Sequence, residues 1–170
     1  SQIPRKPSAP FAFPTIVAFG DHTALPHHQA TDRKLQNNEV VLIDCGAQVG
    51  GYCADVTRTI WFGDQPDPEF SKIEKIVKHA YLQTLQHCQR DNLQTQQFEA
   101  SDLDKIARTV ISDAGYGPEF IHTTGHGVGL YIHENPSISA RDHTQLLPNM
   151  VITIEPGIYL QGTFGYRFEN

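Results

Sequence analysis

Two pairs of acidic residues stand where strand-like segments of the sequence begin or end. Asp44 ends the apolar run 39–44, and Asp55 lies near the start of the alternating run 54–62. If the two runs form a hairpin that turns near residues 49–51, both carboxylates point to the same face, because side chains alternate with a period of two. Two facing carboxylates repel each other unless they share a proton or hold a cation. Taken alone, this pair fits ordinary strand-end residues equally well.

The second pair strengthens the chemical interpretation. Glu155 ends the apolar run 150–155, and Glu169 ends the run 164–169. A hairpin that turns around Gly162 would place these two carboxylates opposite each other. An acid at the end of so apolar a segment is costly unless it has a partner. Two hairpins that each present two acids on one face therefore predict a shared site.

Three histidines add nitrogen ligands to this set. His122, His126 and His133 lie within the glycine-rich segment 121–134. The glycines permit close backbone approach, but their spacing is not that of a phosphate-binding loop. Lone histidines are usually ordinary core or surface residues, whereas three beside four placed acids favour a metal site. Mostly oxygen ligands with imidazole suit manganese, cobalt, iron or zinc, and four carboxylates suit two cations that share bridging acids.

The elements that must position these residues follow from periodicity. Residues 1–14 carry four prolines and are predicted to be an extended lead-in. Apolar residues at helical spacing predict helices over 66–89 and 101–114, with Ser101 and Asp104 as a capping box and Gly115 as the stop. Strands are predicted over 15–19, 39–44, 54–62, 121–124, 150–155 and 164–169. Strands, two helices and strands again predict an α+β domain.

Composition excludes several classes of protein. The chain has 170 residues, a net charge of −6 and 39% hydrophobic residues, which fits one globular domain. No basic cluster is present, so nucleic acid is not an expected partner. No apolar run reaches the ~20 residues that span a bilayer, so no membrane partner is expected either. Three cysteines without metal-finger spacing favour reduced thiols in the cytoplasm, although Cys45 and Cys53 could pair across a hairpin.

These blocks, in this order, resemble the pita-bread metallopeptidases, which comprise methionine aminopeptidase, aminopeptidase P and prolidase. The resemblance runs from about residue 13 to residue 170 and implies a curved antiparallel sheet covered by helices. It implies two divalent metal ions, manganese first and cobalt, zinc or iron as alternatives. Asp55 and Glu169 would bridge both ions. The full implied ligand set is Asp44, Asp55, His126, Glu155 and Glu169.

The resemblance also implies a substrate class and a mechanism. Leu25-Pro-His-His and Arg167-Phe-Glu resemble the prolidase and aminopeptidase P branch, so short proline-containing peptides are the implied substrates. A hydroxide that bridges the two ions would attack the scissile carbonyl, with Glu155 managing its proton. His133, and next His27, would stabilise the oxyanion. His122 and Arg167 would contact the substrate or support the ligands, and the full-length protein is expected to be a homodimer.

Three alternatives stay open from sequence: a metal-free binding module on the same fold, a metal-independent relative like creatinase, and a methionine aminopeptidase. Members of the prolidase branch carry a preceding domain and helix pair, and they continue beyond the last glutamate. The chain is therefore expected to be a catalytic domain over 15–170, truncated at both ends. Without the preceding helices, the sheet face that carries residues such as Val41, Ile43 and Val56 is expected to lack cover, leaving the chain poorly active by itself.

Overall fold

A computed structural model describes residues 9–89 and 98–170. Its first half is built on strands β1 (Ile16–Phe19) and β2 (Glu39–Cys45), a small hairpin of β3 (Gln48–Val49) and β4 (Tyr52–Cys53), and β5 (Val56–Phe62). Strand β2 lies between β1 and β5 in an antiparallel sheet. The hairpin turns at Gly50 and Gly51, both at positive φ, as the sequence predicted.

The register of this sheet sets the first acidic pair. Asp44 pairs with Thr57 across β2 and β5. Asp55 precedes Thr57 by two positions, just before β5 begins, so it lies diagonal to Asp44 on the same face. The observed strand β5 starts two residues later than the predicted strand 54–62. The two acids nevertheless face each other as the alternation predicted.

Two helices follow, α1 (Pro68–Gln89) and α2 (Ala100–Asp113). Both predicted helices are present, with bounds shifted by at most two residues. The predicted capping box is wrong: the N-cap of α2 is Glu99, whose side chain and that of Asp102 bond reciprocally to the backbone. Ser101 lies inside the helix, and Asp104 is fully buried with other partners. Gly115, at φ +90°, follows the helix end as predicted.

The second half begins with β6 (Gly125–Gly127) and β7 (Glu134–Ile138), so the predicted strand at 121–124 lies a few residues early. The predicted strand 150–155 is not a regular strand. It runs beside β6 through bonds from Thr153 N to the His126 carbonyl (2.8 Å) and from Glu155 N to the Thr124 carbonyl (2.7 Å). His126 N, however, donates to the Thr153 hydroxyl instead of a carbonyl (3.1 Å), which interrupts the ladder.

The last hairpin consists of β8 (Gly157–Leu160) and β9 (Phe164–Arg167) and turns at Gly162, at φ +76°. Beyond its end the register continues, because Ile154 N donates to the Asn170 carbonyl (3.0 Å). Glu155 and Glu169 therefore occupy opposing positions, as the sequence predicted. Thr57 and Thr59 of β5 link this hairpin to the first sheet through bonds to the backbone and side chains of β9 and Glu169.

The helices cover one side of the sheets. The main core contains residues of β2, both helices, β8 and β9, namely Val40, Phe70, Ile73, Val77, Ala80, Ala107, Ile111, Phe120, Ile158, Phe164 and Tyr166. On the opposite face of the first sheet, Ile43, Ile60 and Phe62 are 38%, 52% and 45% exposed, whereas Val41 is buried. In the described part of the chain, no helix is long and apolar enough to cross a membrane.

Candidate metal centre

The predicted ligands meet at one cavity of about 330 Å³. Each comes from a different place in the fold: the end of β2, the residue before β5, β6, and the two flanks of the β8–β9 hairpin. All five line the cavity, together with His27, His122, His133 and Arg167. The sequence prediction therefore selected residues that the fold brings to a single site.

The central group consists of Asp55, His126 and Glu169, whose potential ligand atoms all lie within 4.8 Å of one another. His126 Nε2 lies 3.3 Å from Glu155 Oε1 and 3.7 Å from Asp55 Oδ2. His126 Nδ1 lies 2.9 Å from the Gly127 carbonyl, which can only accept. The proton therefore sits on Nδ1, and Nε2 presents its lone pair to the acids, as in a metal-binding imidazole.

Three carboxylate oxygens of the centre are buried without a hydrogen-bond donor among the described residues. They are Asp44 Oδ1, Asp55 Oδ1 and Glu169 Oε1. Asp44 and Asp55 could satisfy each other only by sharing a proton, since two carboxylates are both acceptors. A buried carboxylate is costly unless it is paired, and coordination to a cation is one such pairing. The residues present therefore fit a site for divalent cations.

The pKa values of the buried acids also fit a site for divalent cations. Burial, together with the charges of Glu169 and Asp44, raises the pKa of Asp55 to about 8. Burial and the charge of Asp44 raise the pKa of Glu169 to about 7, although Thr57 donates a 2.6 Å hydrogen bond to it. Burial raises the pKa of Glu155 well above its ordinary value, and Glu169 adds to the effect. Without cations, the cavity therefore favours protonated acids at neutral pH.

Arg167 donates directly to one of these carboxylates, and it is 3% exposed. Its guanidinium donates to Asp44 Oδ2 at 2.6 Å, to the Tyr159 hydroxyl at 2.8 Å and to Thr57 Oγ1 at 3.1 Å. It therefore holds one oxygen of Asp44 and leaves the other facing the cavity.

The Tyr159 hydroxyl continues this chain of bonds to His122. It lies 2.7 Å from His122 Nε2, and His122 Nδ1 lies 2.7 Å from the Thr123 carbonyl. Burial lowers the pKa of His122 to about 4 and raises that of Tyr159 to about 12, so the imidazole is neutral and the phenol protonated. Both nitrogens of His122 thus have protein partners.

His27 and His133 differ from His122 in this respect. Both line the cavity, and their ring nitrogens have no hydrogen-bond partner within residues 9–89 and 98–170. The ring of His133 packs edge-on against that of His126, with centroids 4.5 Å apart. These two imidazoles are therefore the ones placed to contact a molecule in the cavity.

The apolar wall of the cavity includes Phe13, from the predicted lead-in. The lead-in is fastened to the body by bonds from Ala12 N to the Gly46 carbonyl (2.9 Å) and from Gln48 N to the Pro10 carbonyl (2.8 Å). The predicted boundary at residue 15 stays a prediction, but Phe13 from before that boundary lines the site.

Comparison with known proteins decides the family. The sequence profile of metallopeptidase family M24 matches residues 5–170. The chain belongs to family M24. An uncharacterized peptidase of Staphylococcus epidermidis is 46% identical over 159 residues, which are 94% of this chain and 43% of that protein. The chain thus spans less than half the length of this curated relative.

Solved structures of M24 relatives confirm the pita-bread fold that the resemblance implied. An X-Pro aminopeptidase from Thermotoga maritima superposes with a TM-score of 0.87 at 41% identity, covering 95% of this chain and 44% of that one. A prolidase from Pyrococcus furiosus gives a TM-score of 0.86 at 41% identity, covering 96% and 46%. The pita-bread fold and the family are therefore established, and the chain covers less than half the length of each of these two proteins.

Sequence reasoning missed the polar residues that bond the predicted ligands and their neighbours. Thr57 donates to Glu169, Thr153 to Glu155 at 3.3 Å, and Tyr159 contacts His122 and Arg167. Each stands in an apolar segment beside a predicted ligand. A polar residue on the site-facing side of an apolar segment is the sequence feature that could have indicated these supporting residues.

Proposed function

We propose that the protein containing this chain is an exopeptidase that hydrolyses Xaa-Pro bonds with two divalent cations. The observation that carries the proposal is the buried convergence of four carboxylates and one neutral imidazole, with three carboxylate oxygens lacking a donor among the described residues. Five protein ligands exceed the three or four that a single zinc takes, which favours two cations. Oxygen-rich ligands favour manganese first, and cobalt, zinc or iron next.

The ligand roles follow from position. Asp55 and Glu169 belong to the central group, and the charge of Glu169 adds to the raised pKa of Asp55, so both would help to hold the cations. His126, the third member of the central group, would complete the ligand set together with Asp44 and Glu155. When bound, the two cations supply an attacking hydroxide and polarise the scissile carbonyl.

The chain's own residues handle protons and orientation. Glu155 lines the cavity beside His126, so we assign it to accept the proton of the attacking water and pass it to the leaving amine. His133, with His27 second, has free ring nitrogens at the cavity and would donate to the developing oxyanion. His122 and Arg167 bond only to protein groups here, so we assign them to hold Tyr159 and Asp44 rather than the peptide.

Short proline-containing peptides are the proposed substrates. The support is the pair of sequence blocks around His27 and Arg167, together with the X-Pro aminopeptidase and prolidase among the structural relatives. The length of the peptide, a homodimeric assembly and a cytoplasmic location stay predictions from the resemblance.

The experiment is hydrolysis by the full-length protein loaded with Mn²⁺. Ala-Pro and Ala-Pro-Ala are compared with Ala-Ala and Ala-Ala-Ala, and His126→Ala serves as the metal-deficient control. We expect kcat/KM to favour proline in the second position by about two orders of magnitude. Cleavage of N-terminal methionine with no proline requirement would favour methionine aminopeptidase activity. Peptide binding without Mn²⁺-dependent hydrolysis would favour a binding module.

A further inference from the structure

An ion pair between a buried acid and a partly exposed arginine lies on helix α2, next to the segment that leads into the candidate metal centre. Asp104 is 0% exposed. Its carboxylate accepts bonds from Arg108 Nε (3.0 Å), Arg108 Nη2 (2.9 Å) and the Thr124 hydroxyl (2.8 Å). Burial of the Asp104 carboxylate is costly unless hydrogen bonds satisfy it. The bonds from Arg108 and Thr124 do so, and Arg108 has further donors.

The other hydrogen bonds of Arg108 go to the backbone of the segment 120–124. Arg108 Nη1 donates to the Phe120 carbonyl and Nη2 to the His122 carbonyl, each at 2.9 Å. The guanidinium also lies over the Phe120 ring, 4.3 Å from its centroid. With its orientation set by Asp104, the planar guanidinium can reach both carbonyls at once. Helix α2 is thus bonded to the segment 120–124 at every second residue, through the carbonyls of Phe120 and His122 and the hydroxyl of Thr124.

That segment leads directly into the metal centre. The Thr124 carbonyl accepts from Glu155 N at 2.7 Å, and the His126 carbonyl accepts from Thr153 N at 2.8 Å. The ring of His122 contacts Tyr159 through its Nε2. His122 and Thr124 are themselves anchored by Arg108 and Asp104, and His126 lies two residues beyond Thr124.

We infer that Asp104 and Arg108 are positioning residues for the metal centre, acting from outside the cavity. By fixing the segment 120–124, they set where His126 and Glu155 stand relative to each other, at 3.3 Å between Nε2 and Oε1. The inference rests on the proposed function for its activity readout, but its metal-binding readout is independent of substrate.

The test uses the full-length protein with Arg108→Lys and Asp104→Asn. Lysine keeps the charge but cannot bond the acid and two carbonyls in one plane. Asparagine keeps the shape of Asp104 but loses its charge. The matched control is Lys78→Met, which removes an ion pair of the same spacing in α1, where Lys78 Nζ lies 2.8 Å from Glu74 Oε1. Circular dichroism gives the folded fraction of each variant.

Mn²⁺ affinity is measured by the electron paramagnetic resonance of free Mn²⁺, and kcat on Ala-Pro at saturating Mn²⁺. We expect both Arg108→Lys and Asp104→Asn to weaken Mn²⁺ binding and lower kcat by about tenfold each, as for other groups that orient metal ligands. Lys78→Met should change neither. The double variant should lose little more than either single one, because the two residues act as a unit.

Folded variants that bind Mn²⁺ with unchanged affinity and retain kcat would overturn the inference, and the pair would then only support the helix. If both fail to fold, Thr124→Val decides by the same Mn²⁺ criterion, since it removes a single bond to Asp104. If the wild type binds Mn²⁺ but does not cleave Ala-Pro, the proposed function fails. The Mn²⁺ affinities of the wild type and the variants would still show whether Asp104 and Arg108 position the metal centre.

Discussion

Loading the metal-free, full-length protein with Mn²⁺ at pH 7 should release protons from the buried acids. A carboxyl with a pKa of about 8, as for Asp55, is about nine-tenths protonated at pH 7, and one with a pKa of about 7, as for Glu169, is about half protonated. Metal ligands must be deprotonated. These two acids therefore release on the order of one proton per site, and Glu155, whose pKa burial also raises, adds to the release. His126 adds none, because burial lowers its pKa and it is already neutral.

Isothermal titration calorimetry in two buffers with different ionisation enthalpies counts these protons directly. Binding should saturate at about two Mn²⁺ per chain, and the share of the proton release that comes from Asp55 should fall as the pH rises through about 8. Glu74→Gln is the matched control, since it removes a carboxylate of α1 outside the site and should leave the count unchanged. Tight Mn²⁺ binding at pH 7 with no proton release would refute the electrostatic account of the cavity.

The same pKa shifts determine whether the free energy of unfolding of the metal-free protein rises or falls with pH. The folded pKa of Asp55 is raised from 3.8 to about 8, so the folded state binds more protons than the unfolded state between these values. The associated stability is fully present below about pH 4 and is lost as the pH rises through about 8. Urea midpoints of the metal-free protein should therefore fall over this window. Saturating Mn²⁺ should oppose the fall.

Three further predictions test single residues. His133→Ala should lower turnover strongly with normal metal content, whereas His126→Ala should lose metal; equal metal loss in both would show that their roles are wrongly divided. Arg167→Met should lower the free energy of unfolding by about 3–5 kcal/mol, because it leaves Asp44 buried without its partner, and a urea series showing under about 1 kcal/mol would contradict this. The isolated 170-residue chain should self-associate through its exposed sheet face, and Ile60→Lys should reduce the association seen by size-exclusion chromatography.

Local periodicity explains why the acids could be located from sequence. Asp44 and Asp55, and likewise Glu155 and Glu169, lie in segments whose alternation and turn glycines determine which side chains face each other. Gly50, Gly51 and Gly162 all adopt the positive φ that their turns require. Once the two hairpins form, the shared face of each acid pair follows without any knowledge of tertiary packing.

The errors arose where a distant partner replaced the local one. Ser101 and Asp104 have the spacing of a capping box, yet Asp104 bonds Thr124, twenty positions along the chain. The run 150–155 has strand-like composition, yet the Thr153 hydroxyl takes the backbone bond that would have continued a regular ladder. A sequence pattern cannot show such long-range hydrogen bonds, because they depend on how separately folded segments meet.

The charge balance of the cavity argues for two cations over one. When ionised, the four carboxylates and the Arg167 guanidinium that line it carry a net charge of −3. One divalent cation would leave a negative cavity, in which at least one acid would still favour its protonated form. Two divalent cations would bring the site to +1, which the attacking hydroxide neutralises. The buried acids, costly in the metal-free protein, would then match the charge of the two ions and the hydroxide.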